Sequence, residues 1–259
     1  MNDLTFKFLY AFGRLICPKR RFVMEKLPDE PAVFVGNHAG PIGPININYN
    51  FPLPFRPWVI DLLFDKKVRA NYVFHDFFFG RSSKAKWFIR FLSKIVAAGT
   101  SGLLERVGII KVSKQVLGMR KTFDDTVRAL NDGYNIIVFP ESFDTYKEYI
   151  NKLHNGFVNI AGRYYKETGK CLKFYPMYIG PKQKSIVVGE PTVYDPTADP
   201  HAERERIALY LADKIDELAH TLPPHKARPF MLDVFYQYYP EFVNDPQSYW
   251  EFLAQPYSE

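Results

Sequence analysis

ALNDGYNIIVFPES, residues 129–142, reads as the end of a helix, a tight stop, a buried strand and the turn that leaves it. Val116, Met119, Phe123, Val127 and Leu130 make one apolar stripe at helical spacing. Asp132-Gly133 then ends the helix, because glycine adopts the left-handed cap conformation without steric cost. Residues 135–139, NIIVF, are too short and apolar for anything but a buried strand, and Pro140 closes it.

The same alternation extends in both directions. Upstream, AVFV (32–35), PWVI (57–60) and GIIKVS (108–113) read as strands, residues 61–80 lean to helix, and KAKWFIRFLSKIVAA (84–98) is an amphipathic helix. Downstream come a helix near 152–167, two strands in LKFYPMYI and SIVVG, and a helix over 202–220 with Ile207, Leu211, Ile215 and Leu218 inside. Strands alternating with helices predict a layered α/β fold, with a mixed, mostly parallel central sheet flanked by helices. No repeat or linker divides the chain before about residue 223. The expected organisation is an N-terminal helical element (1–29), an α/β domain (30–222), and an aromatic-rich extension (223–259) packed on that domain.

The hydrophobic fraction of 47% supplies a core, and the formal charge of +6 points to an anionic partner. Cys17 and Cys171 are far apart and in no metal-ligand spacing, so free thiols in a reducing compartment are expected. The longest uncharged span, residues 31–55, holds five prolines, four asparagines and three glycines, which excludes a membrane-spanning helix there. A protein that is soluble or peripheral, on the cytoplasmic face of a membrane, follows as the expectation.

Two strand ends carry chemistry. VFVGNHAGPIGP (33–44) places Asn37-His38 after a buried strand, in a stretch read as loop because it is so rich in Gly and Pro. VFPES (138–142) places Glu141 after another. Ligands gather beyond the carboxyl ends of strands in open α/β sheets, so the two turns are expected to meet at one site. A histidine there can accept a proton from an attacking hydroxyl. By contrast, no G-x-S-x-G elbow, P-loop, dinucleotide fingerprint or H-E-x-x-H helix occurs, which lowers hydrolase, NTPase and zinc chemistry together.

The order GNH, VGIIKVSK, ALNDGYNIIVFPES, KLHNGFVNIA, FYPMYIG and VVGEPTVY resembles the glycerolipid acyltransferases, whose best-known members are 1-acylglycerol-3-phosphate acyltransferases. The resemblance covers about residues 30–220 and is most specific over 130–161. It implies acyl transfer from a thioester, acyl-CoA or acyl-carrier protein, to a hydroxyl of a lysophospholipid or related acceptor, with no cofactor and no metal. His38 matches the general base of the family's N-H-x-x-x-x-D block. Asn37, Lys114, Glu141, Ser142 and Lys147 become the expected substrate contacts.

The departures are as specific as the matches. Gly43 stands at the aspartate position, with Pro44 after it. Lys114 replaces the arginine of the second block and loses the bidentate fork that grips a phosphate. Asp144 falls where the F-P-E-G-T-R block carries arginine, leaving Lys147 or Lys152 to offset its charge. In a serine-protease triad, removing the orienting carboxylate's charge slows turnover by ~10⁴. Glu141, Asp61 and Asp144 are therefore candidates to replace it from elsewhere in the chain, a backbone carbonyl or water being the other way to fix the ring. The alternative is a catalytically impaired protein that binds lipid or membrane without chemistry.

The expected surface is a membrane. In the 84–98 helix Lys86, Arg90 and Lys94 share one face, Phe88, Phe91, Leu92 and Ile95 the other, and Trp87 lies at the border. An apolar N-terminal segment (4–16) followed by Lys19, Arg20 and Arg21 adds a second basic-apolar element. No nucleic-acid module is present.

Overall fold

The computed structural model describes residues 7, 11, 14, 19–39, 42–78, 84–113, 116–180, 182–226, 239–242, 244–245 and 248–255. Lys114 and Cys17 lie outside them.

The strands are β1 (Arg21–Val23), β2 (Val33–Gly36), β3 (Phe55–Ile60), β4 (Ile110–Val112), β5 (Asn135–Val138), β6 (Glu141–Thr145), β7 (Asn151–Leu153), β8 (Lys173–Gly180), β9 (Ser185–Val188) and β10 (Thr192–Val193). The helices are α1 (Ile42–Asn50), α2 (Lys66–Tyr72), α3 (Lys86–Val107), α4 (Val116–Asn131), α5 (Asn159–Thr168), α6 (Pro200–His220) and α7 (Ser248–Ala254). Short 3₁₀ turns and one π-turn (Val73–Phe77) complete them.

The main sheet runs β1-β9-β8-β2-β5-β3-β4, with β10 against β8. β2 pairs in parallel with β5 and β8, and β3 in parallel with β5 and β4; only β9 and β10 run antiparallel to β8. The sheet is thus mixed and mostly parallel, with helices on both faces. Every residue of β2 and β5 is buried, as a central strand covered on both faces requires. Val33, Val35, Ile136, Val138, Phe174 and Tyr178 face a core closed by α4, α5 and α6. Phe34, Ile137, Tyr175, Met177 and Ile179 face the other, closed by Ile47 of α1, Phe51 and Phe22.

Local signals account for most boundaries. α4 ends through Gly133 in the left-handed region (φ +88°), with the Tyr134 N–H donating to the Ala129 carbonyl at 2.9 Å. α6 starts at the Asp199 cap, whose carboxylate accepts from His201 and Ala202 N–H, with Pro200 first in the helix.

Three elements depart from the sequence expectation. Residues 42–44, read as loop, open α1, which runs on to Asn50: Pro44 sits in the first turn, where its missing N–H has no helical acceptor to lose. The 84–98 helix runs on to Val107 and is capped by Gly108 at φ +73°, so Gly99 and Gly102 do not stop it. Glu141 and Ser142, read as the turn out of a strand, begin the β6–β7 hairpin; residues 152–153, read as the start of a helix, lie in its second strand, and the helix begins at Asn159.

The hairpin tip is tied to α6. Lys147 pairs with Asp213 at 3.2 Å, the Tyr146 hydroxyl donates to the same carboxylate, and the Tyr149 N–H donates to Asp216 at 2.9 Å. At the C-terminus Tyr239, Phe242, Tyr249 and Leu253 are buried with Val68 of α2. There the Asn71 amide donates to the Leu253 carbonyl at 2.8 Å, and the buried His75 Nδ1 meets the Tyr239 hydroxyl.

Candidate active site

β2 and β5 lie side by side in parallel, Val35 opposite Val138. The turns that leave them, Asn37-His38 and Phe139–Glu141, therefore emerge next to each other at the carboxyl edge of the sheet. The same edge receives Asp61 after β3 and Ser113 after β4, because both strands run parallel to β5.

Asn37 is buried and completes the sheet with its side chain. Its Oδ1 accepts from the Ile179 N–H at 2.7 Å, and its Nδ2 donates to the Ile179 carbonyl at 3.3 Å. The amide thus acts as one more peptide of β2, paired to β8. That fixes the residue before His38 and directs the amide to the sheet.

His38 follows, half-buried, with its ring set edge-on to Phe139 at 5.6 Å between centroids. The two turns are joined by Glu141. One carboxylate oxygen accepts from the His38 peptide N–H, and the other from the Asn151 N–H of β7 at 3.2 Å. The Asn151 side chain in turn donates to the Ser142 carbonyl at 3.0 Å. A buried carboxylate is thus the common acceptor for the His38 peptide and for the hairpin.

Burial pushes the Glu141 carboxyl up to about 7, while the N–H donors of His38 and Asn151 pull it down. The folded protein consequently holds a proton that the unfolded chain, with its ordinary value of 4.5, has released. Stability contributed at this position is greatest below that window. It falls as pH rises from 4.5 to about 7, by on the order of 3 kcal/mol. Urea unfolding of wild type and Glu141→Gln at pH values below and above the window should show it. The wild-type stability relative to the variant is expected to drop by about that much on the alkaline side. An equal difference at both pH values contradicts the assignment.

Ala39 adopts the left-handed region, φ +49°, although it is not glycine. Such a conformation costs about 1–2 kcal/mol and here turns the chain from His38 into α1. The turn brings the His38 carbonyl over Gly43. A Cβ built on Gly43 would collide with that carbonyl oxygen and stand 2.9 Å from its carbon and 3.2 Å from the Ala39 Cβ. Where the resemblance expects an aspartate, the backbone of the histidine turn fills the space.

Ser142 is buried, and its hydroxyl accepts from the Asp144 N–H at 3.1 Å, a local turn bond. Asp144 is exposed on β6, and Lys147 is engaged with α6. Sequence reasoning missed Asn151, Phe139 and Ile179 as partners of the site. Phe139 had a visible signal in the FPE turn; Ile179 acts through its main chain, and Asn151 reaches Glu141 through its peptide N–H, neither of which leaves a trace in residue type.

No family model matches the chain, and no curated protein matches it. Among solved structures, the crystal structure of the 1-acyl-sn-glycerophosphate (LPA) acyltransferase PlsC from Thermotoga maritima is similar. Its TM-score is 0.48 and its identity 12%, over 86% of this chain and 81% of that one.

Proposed function

We propose that the protein transfers a fatty acyl group from a thioester, acyl-CoA or acyl-carrier protein, to a hydroxyl of a lysophospholipid or related acceptor. His38 is the base. Its imidazole takes the acceptor's proton as the oxygen attacks the thioester carbonyl; the tetrahedral intermediate then expels the thiolate, which recovers the proton from the imidazolium. The products are an ester and a free thiol. One observation carries this: the GNH and FPE turns leave adjacent parallel strands in register and are joined through the Glu141 carboxylate on the His38 N–H.

Within that mechanism Glu141 and Asn37 are positioning residues. They hold the main chain on either side of the imidazole, and Glu141 takes over part of what a neighbouring aspartate would do. Lys114, from the resemblance, supplies positive charge toward the acceptor phosphate.

A second reading is a lipid-binding protein without chemistry. Two observations favour it: the Gly43 position has no room for a side chain, and both Glu141 oxygens accept from peptide N–H groups. Radiolabelled acyl thioesters offered against a panel of lysolipids separate the two. Transfer from at least one donor to one acceptor supports the enzyme. Retained binding to lipid vesicles with no transfer from any donor supports the second reading.

A further inference from the structure

α3 packs inward through its small residues. Ser93 and Ala97 are buried, the Ala97 carbonyl accepts from Arg69 Nε at 2.7 Å, and Ala97 sits in a cluster with Ala70 and Val73. The bulky residues point away: Trp87 is 76% exposed, Phe91 59%, Ile95 53% and Phe88 47%. At helical spacing these four fall within one sector roughly 100° wide. A contiguous apolar surface of this kind needs an occupant.

The charge around it selects one. Lys94 borders the sector; Lys84 and Lys86 are exposed at the start of the helix, and Arg90 lies over the Phe74 ring at 5.4 Å. The sequence holds Arg81, Lys84, Lys86, Arg90 and Lys94 but no acid from residue 77 to 104. A second copy of the chain would bring like charge against like charge. An anionic bilayer complements both features, taking the apolar sector into its acyl boundary and the bases at its headgroups.

Position adds to this. Residues 61–77 leave the carboxyl end of β3, and the middle of α3 packs against them. α3 is thus anchored to the segment that leaves the sheet at the end carrying His38. We infer that α3 is an interfacial helix that seats the protein on an anionic phospholipid surface with the His38 edge toward the lipid. The choice of that edge as the functional one rests on the acyl-transfer reading; the docking itself does not.

Flotation with vesicles of phosphatidylcholine, alone or mixed with phosphatidylglycerol, tests it. Wild type is expected to float with the mixed vesicles and to be released by salt. Trp87→Ser/Phe91→Ser/Ile95→Ser should lower partition by ~10-fold or more. Lys86→Gln/Lys94→Gln should lower it roughly tenfold on the mixed vesicles only. Both variants should melt as wild type does, since the altered side chains are exposed. His38→Ala is expected to float unchanged, so an inactive protein that still docks separates docking from catalysis. The inference is overturned if wild type fails to float with mixed vesicles or if the triple variant floats equally well. Conversion of a wild-type dimer to a monomer by the triple variant, with flotation unaltered, also overturns it by assigning the face to self-association.

Discussion

Glu141→Ala is expected to destabilise the protein by on the order of 3 kcal/mol at pH 4, and to slow transfer by ~10²-fold or more. The carboxyl is buried and is the acceptor for two peptide N–H groups, those of His38 and Asn151. Alanine leaves both donors without it in a site that water reaches poorly, at about 1–3 kcal/mol each. At pH 4 the carboxyl is neutral in the folded and the unfolded protein alike, so the substitution relieves no protonation cost; by pH 6 that relief would already offset about 2 kcal/mol of the loss. The kinetic effect comes from position. Once the His38 peptide is released, the imidazole is no longer held against the reacting oxygen, and a displacement of about 1 Å is enough for that loss. Urea unfolding and transfer assays on the same preparation check both parts; unchanged stability and rate contradict the clamp.

Gly43→Asp is expected to cripple rather than improve the protein. Comparison with the N-H-x-x-x-x-D pattern invites restoration of the acid, and a gain of activity would be the naive forecast. The collision with the His38 carbonyl forbids it without a shift of the histidine turn. Overpacking of this sort costs about 1–3 kcal/mol, and a carboxylate forced into a buried position adds to that. Gly43→Ala separates the contributions: it carries the steric cost alone and should lower the melting temperature and the transfer rate in parallel. A Gly43→Asp protein that is stable and faster than wild type would show that the turn yields easily and that the acid's place is vacant in function.

The layered fold was legible because its strands are unambiguous. Val33–Val35, Ile136–Val138 and the run from Phe174 to Ile179 are too apolar and short to be helices, and α4 and α6 carry regular inner stripes. The meeting of the two chemical turns was legible too, since β2 and β5 are both central parallel strands. What escaped was carried by context. α1 was hidden by its proline and glycine, although one proline in a first turn costs nothing. The β6–β7 hairpin lacks an Asn-Gly or Asp-Gly turn, and its tip is held by Asp213 and Asp216 of α6, far away in sequence. In α3 the lysine and phenylalanine faces were visible, but which face is buried was not: a third strip of small residues, Ser93 and Ala97, makes the contact. Glu141 was visible as a neighbour of His38. Its use as a main-chain clamp was not, because a bond to a peptide N–H does not depend on which residue supplies it.

The most direct test is transfer from a labelled acyl thioester to a lysophospholipid at pH 8, wild type beside His38→Ala. The account predicts that the variant folds and melts as wild type does, because the half-buried ring can be shortened while the Glu141 bond to the residue-38 peptide is kept. Its turnover should fall by ~10³-fold or more, to the uncatalysed rate. Equal turnover in the two proteins would contradict the account, for the imidazole would then have no part in the chemistry.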